Sequence, residues 1–303
     1  MNVQCDSKNR LNQPAFGEAL FDLIRRTACD LPEDVEAALK HAHDEEAPDS
    51  RARTILSLFL ENIALAREKQ VPLCQDTGLP LFFIHHPPGL SQRATVKACE
   101  EAVARATMEQ YLRPNAVDPV TGRNSGNSVG AGIPGVYFEE GDGEALSVAL
   151  MLKGGGSENV GRQYSLPDDV LKAGRDLEGV RRVILDAVRR AEGKGCAPGI
   201  LGICIGGDRG SGYFHSKHQL LRSLDDVNPD PVLAGLEGRI LREANTLGIG
   251  PLGLGGETTL LGAKVGALHR VPASYFVTVT YMCWEYRRRE IRIDADGTWR
   301  FTR

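Results

Sequence analysis

The sequence predicts a mixed α/β (α+β) protein, with a helical N-terminal part followed by a mixed sheet carrying helices. Three observations support this. In RTILSLFLENIALAREKQ (53–70) the apolar residues Ile55, Leu56, Phe59, Leu60, Ile63 and Ala64 recur at helical spacing. The runs LPLFFIHH (79–86), ALSVALMLK (145–153) and GILGICIGG (199–207) are short, apolar and bounded by breakers, as buried strands are. Near the C-terminus, SYFVTVTYMCWEYRRREIRIDADGTWRF (274–301) alternates like a strand and closes as a hairpin with Asp296-Gly297 as its turn.

The chain has 303 residues, 42% of them hydrophobic, enough for a sizeable core in one large domain or two smaller lobes. Its net charge is −4, with acidic and basic residues interspersed. That pattern argues against a nucleic-acid or anionic membrane surface and favours a small molecule or a protein as partner. The first residues, MNVQCDSKNR, lack the apolar stretch of a signal peptide, and no run approaches the roughly 18 apolar residues of a membrane span. The expected compartment is the cytoplasm. Residues 1–50 read as a helical lead-in, since HDEEAPDSRA combines a charge cluster with a helix-ending proline.

After the helix at 53–70, Val71-Pro72 ends the segment and VPLCQDTGLP places Cys74, Gln75 and Asp76 in a loop. His85 and His86 in the next strand point to opposite faces, so they do not form a pair of metal ligands. A second helix carries Val96, Cys99, Val103 and Ala106 on its apolar face, which makes Cys99 a core residue. YLRPNAVDPVTGRNSGNS (111–128) is long, polar and rich in turn residues, a candidate binding loop whose most useful group is Arg113. The strand at 145–153 runs into GGGSENVGR, where Gly154, Gly155 and Gly156 form either a flexible strand exit or a loop presenting amides to a ligand. Ser157, Glu158 and Asn159, directly behind them, favour a site. A helical stripe from Val180 to Ala191 ends at Gly193 and Gly195, just before Cys196. Two glycine motifs lack their usual context. GIGPLG (248–253) follows a helical run rather than a strand, and GGETT (255–259) lacks the Lys-Ser/Thr ending of a phosphate loop.

The seven cysteines are 5, 29, 74, 99, 196, 204 and 283, with no CxxC pair and no disulfide-like spacing. Most free cysteines are inert core residues. Cys74, Cys196 and Cys283 differ from the other four, because each occupies an element boundary beside polar or glycine-rich residues. Three thiolates without a fourth ligand would suit an iron–sulfur cluster with one iron left open.

CQDTG (74–78), KGGGSEN (153–159), NTLGIGPLGLGGETT (245–259) and PASYFVTVTYMCWEYRR (272–288) together resemble the alpha chain of the class I, iron–sulfur fumarate hydratase and L(+)-tartrate dehydratase family. The resemblance runs from about residue 50 to residue 293. It implies one alpha-type catalytic domain over 1–303, with a [4Fe–4S] cluster held in inter-element loops by Cys74, Cys196 and Cys283. It further implies that Gln75 and Asp76 hold or protonate the substrate, that Arg113 binds a substrate carboxylate, and that Gly154, Gly155 and Gly156 line the pocket. Of these, Asp76 is the expected catalytic group, as acid or as hydroxyl orienter.

The implied activity is that of a hydro-lyase on a 2-hydroxy dicarboxylate, with malate to fumarate first and L-tartrate or mesaconate chemistry as alternatives. A non-catalytic cluster-bearing protein is the reading from another class. Single-chain members continue into a beta-type region, so the resemblance implies a separate, smaller beta subunit completing the site in an α2β2 assembly. Two departures bear on the pocket: Val271 stands where the family usually has His, with His269 displaced, and Asp208 lies in a glycine-rich stretch where Thr or Ser is usual.

Overall fold

The computed structural model describes residues 14–143, 146–294 and 296–302. Cys5 and the first part of the lead-in lie outside the described residues. In chain order the elements begin with α1 (Pro14–Cys29), α2 (Glu33–Glu45), α3 (Arg51–Lys69), β1 (Leu79–His86), α4 (Gln92–Met108), β2 (Gly135–Glu140) and β3 (Leu146–Lys153). They continue with α5 (Gly155–Asn159), β4 (Arg162–Ser165), α6 (Leu177–Ala191), β5 (Gly199–Gly206), α7 (Arg209–Gln219) and α8 (Pro231–Asn245). A 3-10 turn at Pro251–Gly253 precedes β6 (Leu260–Leu268), β7 (Phe276–Met282), β8 (Arg288–Ile293) and β9 (Trp299–Phe301). Two compact units result: residues up to 32, 63–153 and 287 onward form the first, and 33–62 with 154–286 form the second.

The first unit holds a five-stranded sheet of order β2-β1-β3-β8-β9. Phe16, Leu20, Leu23 and Ile24 of α1 share one core with Cys99 and Val103 of α4 and with Phe82, Ile84, Leu150 and Leu152 of the strands. Ser91 caps α4, its hydroxyl accepting the Ala94 N–H at 3.3 Å. β1 runs antiparallel to β3 with Leu79 opposite Lys153, and β3 antiparallel to β8 with Met151 opposite Arg288. The entry to β1, the exit of β3 and the start of β8 therefore lie at one end of this sheet. The expected hairpin is present as β8 and β9, with Gly297 at φ +86° in its turn.

The second unit has the order β4-β7-β5-β6, with β5 parallel to β6 and β7 antiparallel to both β4 and β5. Every residue of β5 is buried, as a strand covered on both faces requires. Leu201, Ile203 and Ile205 share a core with Val183, Ile184 and Val188 of α6 and with Leu236 and Ile240 of α8. On the other face α7 lies against the strand backbone, because a Cβ at Gly202 would fall 2.1 Å from the Ser216 carbonyl oxygen.

Several features differ from expectation. The C-terminal alternating run feeds both sheets, β7 in the second unit and β8–β9 in the first. GGGSEN forms the short helix α5 rather than an open loop. The glycine-rich stretch after β5 forms α7, because Asp208 closes a capping box: its carboxylate accepts the Gly210 and Ser211 N–H groups at 2.7 and 3.2 Å, and the Ser211 hydroxyl meets the Asp208 N–H at 2.9 Å. The Asp208 departure thus serves helix capping. His85 and His86 do face opposite ways. His85 is exposed, whereas His86 is buried with its Nδ1 2.8 Å from the Pro87 carbonyl. Among the described residues, no helix is long and apolar enough to cross a membrane.

Candidate active site

In the first unit the CQDTG loop is tied to the folded frame residue by residue. Its entry is anchored by the Leu73 N–H donating to the Ala28 carbonyl at 3.0 Å. The Asp76 carboxylate accepts the Gly78 N–H at 3.0 Å, a turn in which an aspartate side chain imitates backbone. The Asp76 N–H points at Cys74 Sγ, 3.4 Å away, and a donor there favours the anionic sulfur. Gly78 has φ +81°, and a Cβ on it would fall 2.9 Å from the Leu152 carbonyl carbon, so a larger residue would push the loop off β3.

Thr77 is buried, and its hydroxyl accepts both the Arg113 N–H at 3.0 Å and the Asn115 side-chain amide at 3.1 Å. The guanidinium of exposed Arg113 in turn donates to the Gln75 carbonyl at 3.2 Å. Cys74, Gln75, Asp76 and Arg113 therefore share one hydrogen-bonded frame, with the side chain of Gln75 exposed and that of Asp76 half-buried. Arg287 completes it. Its side chain is fully buried, and Nη2 donates to the Asp76 carbonyl at 2.8 Å.

In the second unit backbone packing does the corresponding work. Gly154 opens α5, where Gly155 and Gly156 are exposed and the Ser157 hydroxyl turns back to the Gly154 carbonyl at 2.9 Å. Glu158 pairs with Lys217 of α7 at 2.6 Å. A Cβ on Gly156 would lie 3.7 Å from the Lys194 carbonyl oxygen, which places α5 beside the loop that delivers Cys196. Cys196 is exposed and sits at φ +56°, a conformation that side-chain-bearing residues rarely adopt and that its surroundings must enforce.

Three contacts enforce it. Gly193 and Gly253 lie back to back, a Cβ on Gly193 falling 2.2 Å from the Leu252 carbonyl oxygen. The Leu252 N–H donates to the Ala197 carbonyl at 2.9 Å. The Trp284 N–H donates to the Cys196 carbonyl at 3.1 Å, which brings Cys196 and Cys283 into one neighbourhood. Trp284 itself stacks on Phe59, with ring centroids 3.9 Å apart. The GIGPLG motif is thereby the brace of the Cys196 loop. GGETT is pinned from within the unit, since the buried Glu46 carboxylate accepts the Glu257 and Thr258 N–H groups at 2.8 and 3.1 Å.

The remaining described cysteines are of another kind. Burial pushes the thiols of Cys99 and Cys204 up to about 12 and that of Cys29 to about 11, so they stay protonated and inert. Among the described residues no three His, Cys, Asp or Glu side chains close on a single metal ion.

Sequence reasoning missed four residues around these loops. Lys153, Arg287 and Arg288 are buried cations, exposed by 1%, 0% and 6%. A signal was present, because three consecutive arginines entering a strand cannot all face solvent. The fourth is Tyr281 of β7, whose ring lies against Gly195 and Gly199. Its hydroxyl is buried with no hydrogen-bond partner, and burial together with the Cys283 and Cys196 thiols holds its pKa above the ordinary range.

The model of the fumarate hydratase (Fumerase) family matches residues 18–292. The chain is 49% identical over 282 residues to a Geobacillus stearothermophilus protein named "Putative fumarate hydratase class I", covering 92% of this chain and 55% of that protein. It is 35% identical over 287 residues to the "Putative L(+)-tartrate dehydratase subunit alpha" of Methanocaldococcus jannaschii, covering 93% and 99% of the two chains. It is 30% identical over 272 residues to the "L(+)-tartrate dehydratase subunit alpha" of Escherichia coli K12, covering 88% and 87%. The chain thus spans about half the length of the Geobacillus protein and most of the other two.

Proposed function

This chain belongs to the fumarate hydratase family, and from that premise we propose that it is the alpha-type chain of an iron–sulfur hydro-lyase that reversibly dehydrates malate to fumarate. Residues 1–303 act as one catalytic chain, and Cys74, Cys196 and Cys283 are the ligands of a [4Fe–4S] cluster. The residues present suit that group. A backbone N–H is aimed at Cys74 Sγ, Cys196 is exposed in an enforced left-handed conformation, and the buried Tyr281 hydroxyl beside the Cys196 loop lacks an acceptor. When bound, a cluster with an open iron supplies a Lewis acid beside the substrate's hydroxyl.

The chain's own residues do the rest. Arg113 offers a guanidinium fork to a substrate carboxylate. The exposed Gly155 and Gly156 let the substrate approach the backbone of α5, and the Gln75 amide orients it. Asp76, its carboxylate fixed by the Gly78 N–H, holds or delivers the proton that accompanies loss of water. The observation that supports this reading is the frame linking Arg113 to Gln75 and Asp76 to Cys74, which gathers a guanidinium, a carboxylate and a thiol around one loop.

A dicarboxylate needs more positive charge than Arg113 alone offers, and two of the relatives are named alpha subunits. We therefore propose a smaller beta subunit completing the site, in an α2β2 assembly of closed twofold symmetry. The cytoplasm is the proposed compartment, where thiols stay reduced. L-tartrate is the second reading, favoured by the names of those same two relatives. Anaerobic assays of the chain, alone and with its partner, against fumarate, L-tartrate and mesaconate test the proposal. Hydration of fumarate by the pair is the expected result; turnover of none of the three by an iron-loaded pair would refute it.

A further inference from the structure

The Tyr281 hydroxyl is the feature of the site that the reaction does not use. Tyr281 is 2% exposed, and a phenol O–H buried without an acceptor costs folding free energy. Its position is not accidental. The ring is clamped by Gly195 and Gly199, which bracket Cys196, and a Cβ on Gly199 would fall 2.3 Å from the phenol oxygen. β7 ends at Met282, Cys283 follows directly, and the Trp284 N–H holds the Cys196 carbonyl. The hydroxyl thus sits next to the loop of one proposed ligand and on the strand that leads to another.

We propose that Tyr281 is a positioning residue whose hydroxyl donates a hydrogen bond to anionic sulfur, thiolate or sulfide, of the cluster bound by Cys196 and Cys283. The inference rests on the cluster reading above. The acceptor arrives with the cluster, so the cost of the unsatisfied hydroxyl falls on the apoprotein and its benefit on the loaded form. A donor to sulfur stabilises the reduced cluster and raises its potential. It also makes the cluster harder to lose.

Tyr281→Phe removes only the oxygen and leaves the ring between the two glycines. In the full chain, purified without iron, the variant should melt at the wild-type temperature or above it. Reconstituted anaerobically with iron and sulfide, it should show a lower midpoint potential, an altered electron paramagnetic resonance signal in the reduced state, and roughly tenfold faster bleaching in air. Opposite signs in apo and loaded protein are what a purely structural tyrosine cannot produce. Equal losses of stability in both forms, or a loaded variant with wild-type potential and bleaching rate, would overturn the inference. Wild-type protein that binds no iron would instead sink the cluster reading, and the inference with it. Cys196→Ser in parallel separates the two failures, since it should abolish iron binding while Tyr281→Phe retains it.

Discussion

The loop around Cys74 and the loop around Cys196 present a sulfur in two different ways. The first is fixed by side chains: the Asp76 carboxylate, the Thr77 hydroxyl and the Arg287 guanidinium each hold one point of the backbone. The second is fixed by close main-chain approach where side chains are absent, with Gly193 against Gly253, Gly195 against the Tyr281 ring, and backbone N–H groups of Leu252 and Trp284 on the Ala197 and Cys196 carbonyls. A loop held by hydrogen bonds can lose one and persist, because each is worth about 0.5–1.5 kcal/mol net. A loop held by backbone contact has no such tolerance, since a single Cβ must displace main chain.

That contrast predicts its own largest break. Gly193→Ala drives a methyl into the Leu252 carbonyl, and we expect it to lose iron and about 1–3 kcal/mol of stability or more. Gly156→Ala, whose new Cβ would meet only ordinary contact at 3.7 Å, should keep both. Iron content and thermal melting of the two variants measure the difference.

Within the side-chain-held loop the effects should separate by role. Asp76→Asn should keep the cluster and lower turnover by about a hundredfold or more, as loss of a general acid does. Arg113→Met should instead raise the apparent KM about ten- to hundredfold, the equivalent of about 1.5–3 kcal/mol of charge-assisted hydrogen bonding. Steady-state kinetics of the two variants decides the assignment, and an Asp76→Asn enzyme with normal turnover would reduce Asp76 to a turn former.

Arg287→Met sharpens the comparison further. It leaves the Asp76 carbonyl without a buried donor, so we expect a loss of about 1–3 kcal/mol in denaturant unfolding, together with lowered turnover at near-normal KM.

The smallest effect belongs to Asp208, far from either sulfur in role. Its carboxyl is held below the usual range by the Ser211 hydroxyl and by the Ser211 and Gly210 amides. A depressed carboxylate contributes stability that is present above its unfolded pKa and lost as pH falls through its folded one. Asp208→Ala should therefore lower Tm slightly at neutral pH, and the gap to wild type should close in acid.

The same contrast explains what the sequence made legible. Side-chain devices leave a signature: CQDTG announces a turn with a carboxylate, and the amphipathic stripes of α3, α4 and α6 mark helices with a buried face. Contacts made by missing side chains do not. GIGPLG read only as a motif without its context, because nothing local tells that Gly253 will meet Gly193. β6 escaped notice because LLGAKVGAL carries glycines that serve close approach, Gly266 lying against His215 and Gln219 of α7 and Gly262 against Leu224. α7 was hidden in the same way, its propensity low and its stability supplied by the Asp208 cap and its packing on β5. The division of the C-terminal run between two sheets is a tertiary decision that alternation alone cannot register. Arg287 and Arg288 were the residues that closer attention to strand periodicity could have found.

The central claim is that Cys74, Cys196 and Cys283, at element boundaries, hold iron, and that Cys99 and Cys204, inside a helix and a strand, do not. Iron content after anaerobic reconstitution of Cys74→Ser, Cys196→Ser, Cys283→Ser, Cys99→Ser and Cys204→Ser tests it most directly. The account predicts loss of the cluster in the first three and full retention in the last two, whose thiols burial keeps protonated. Full iron content in all five would contradict it.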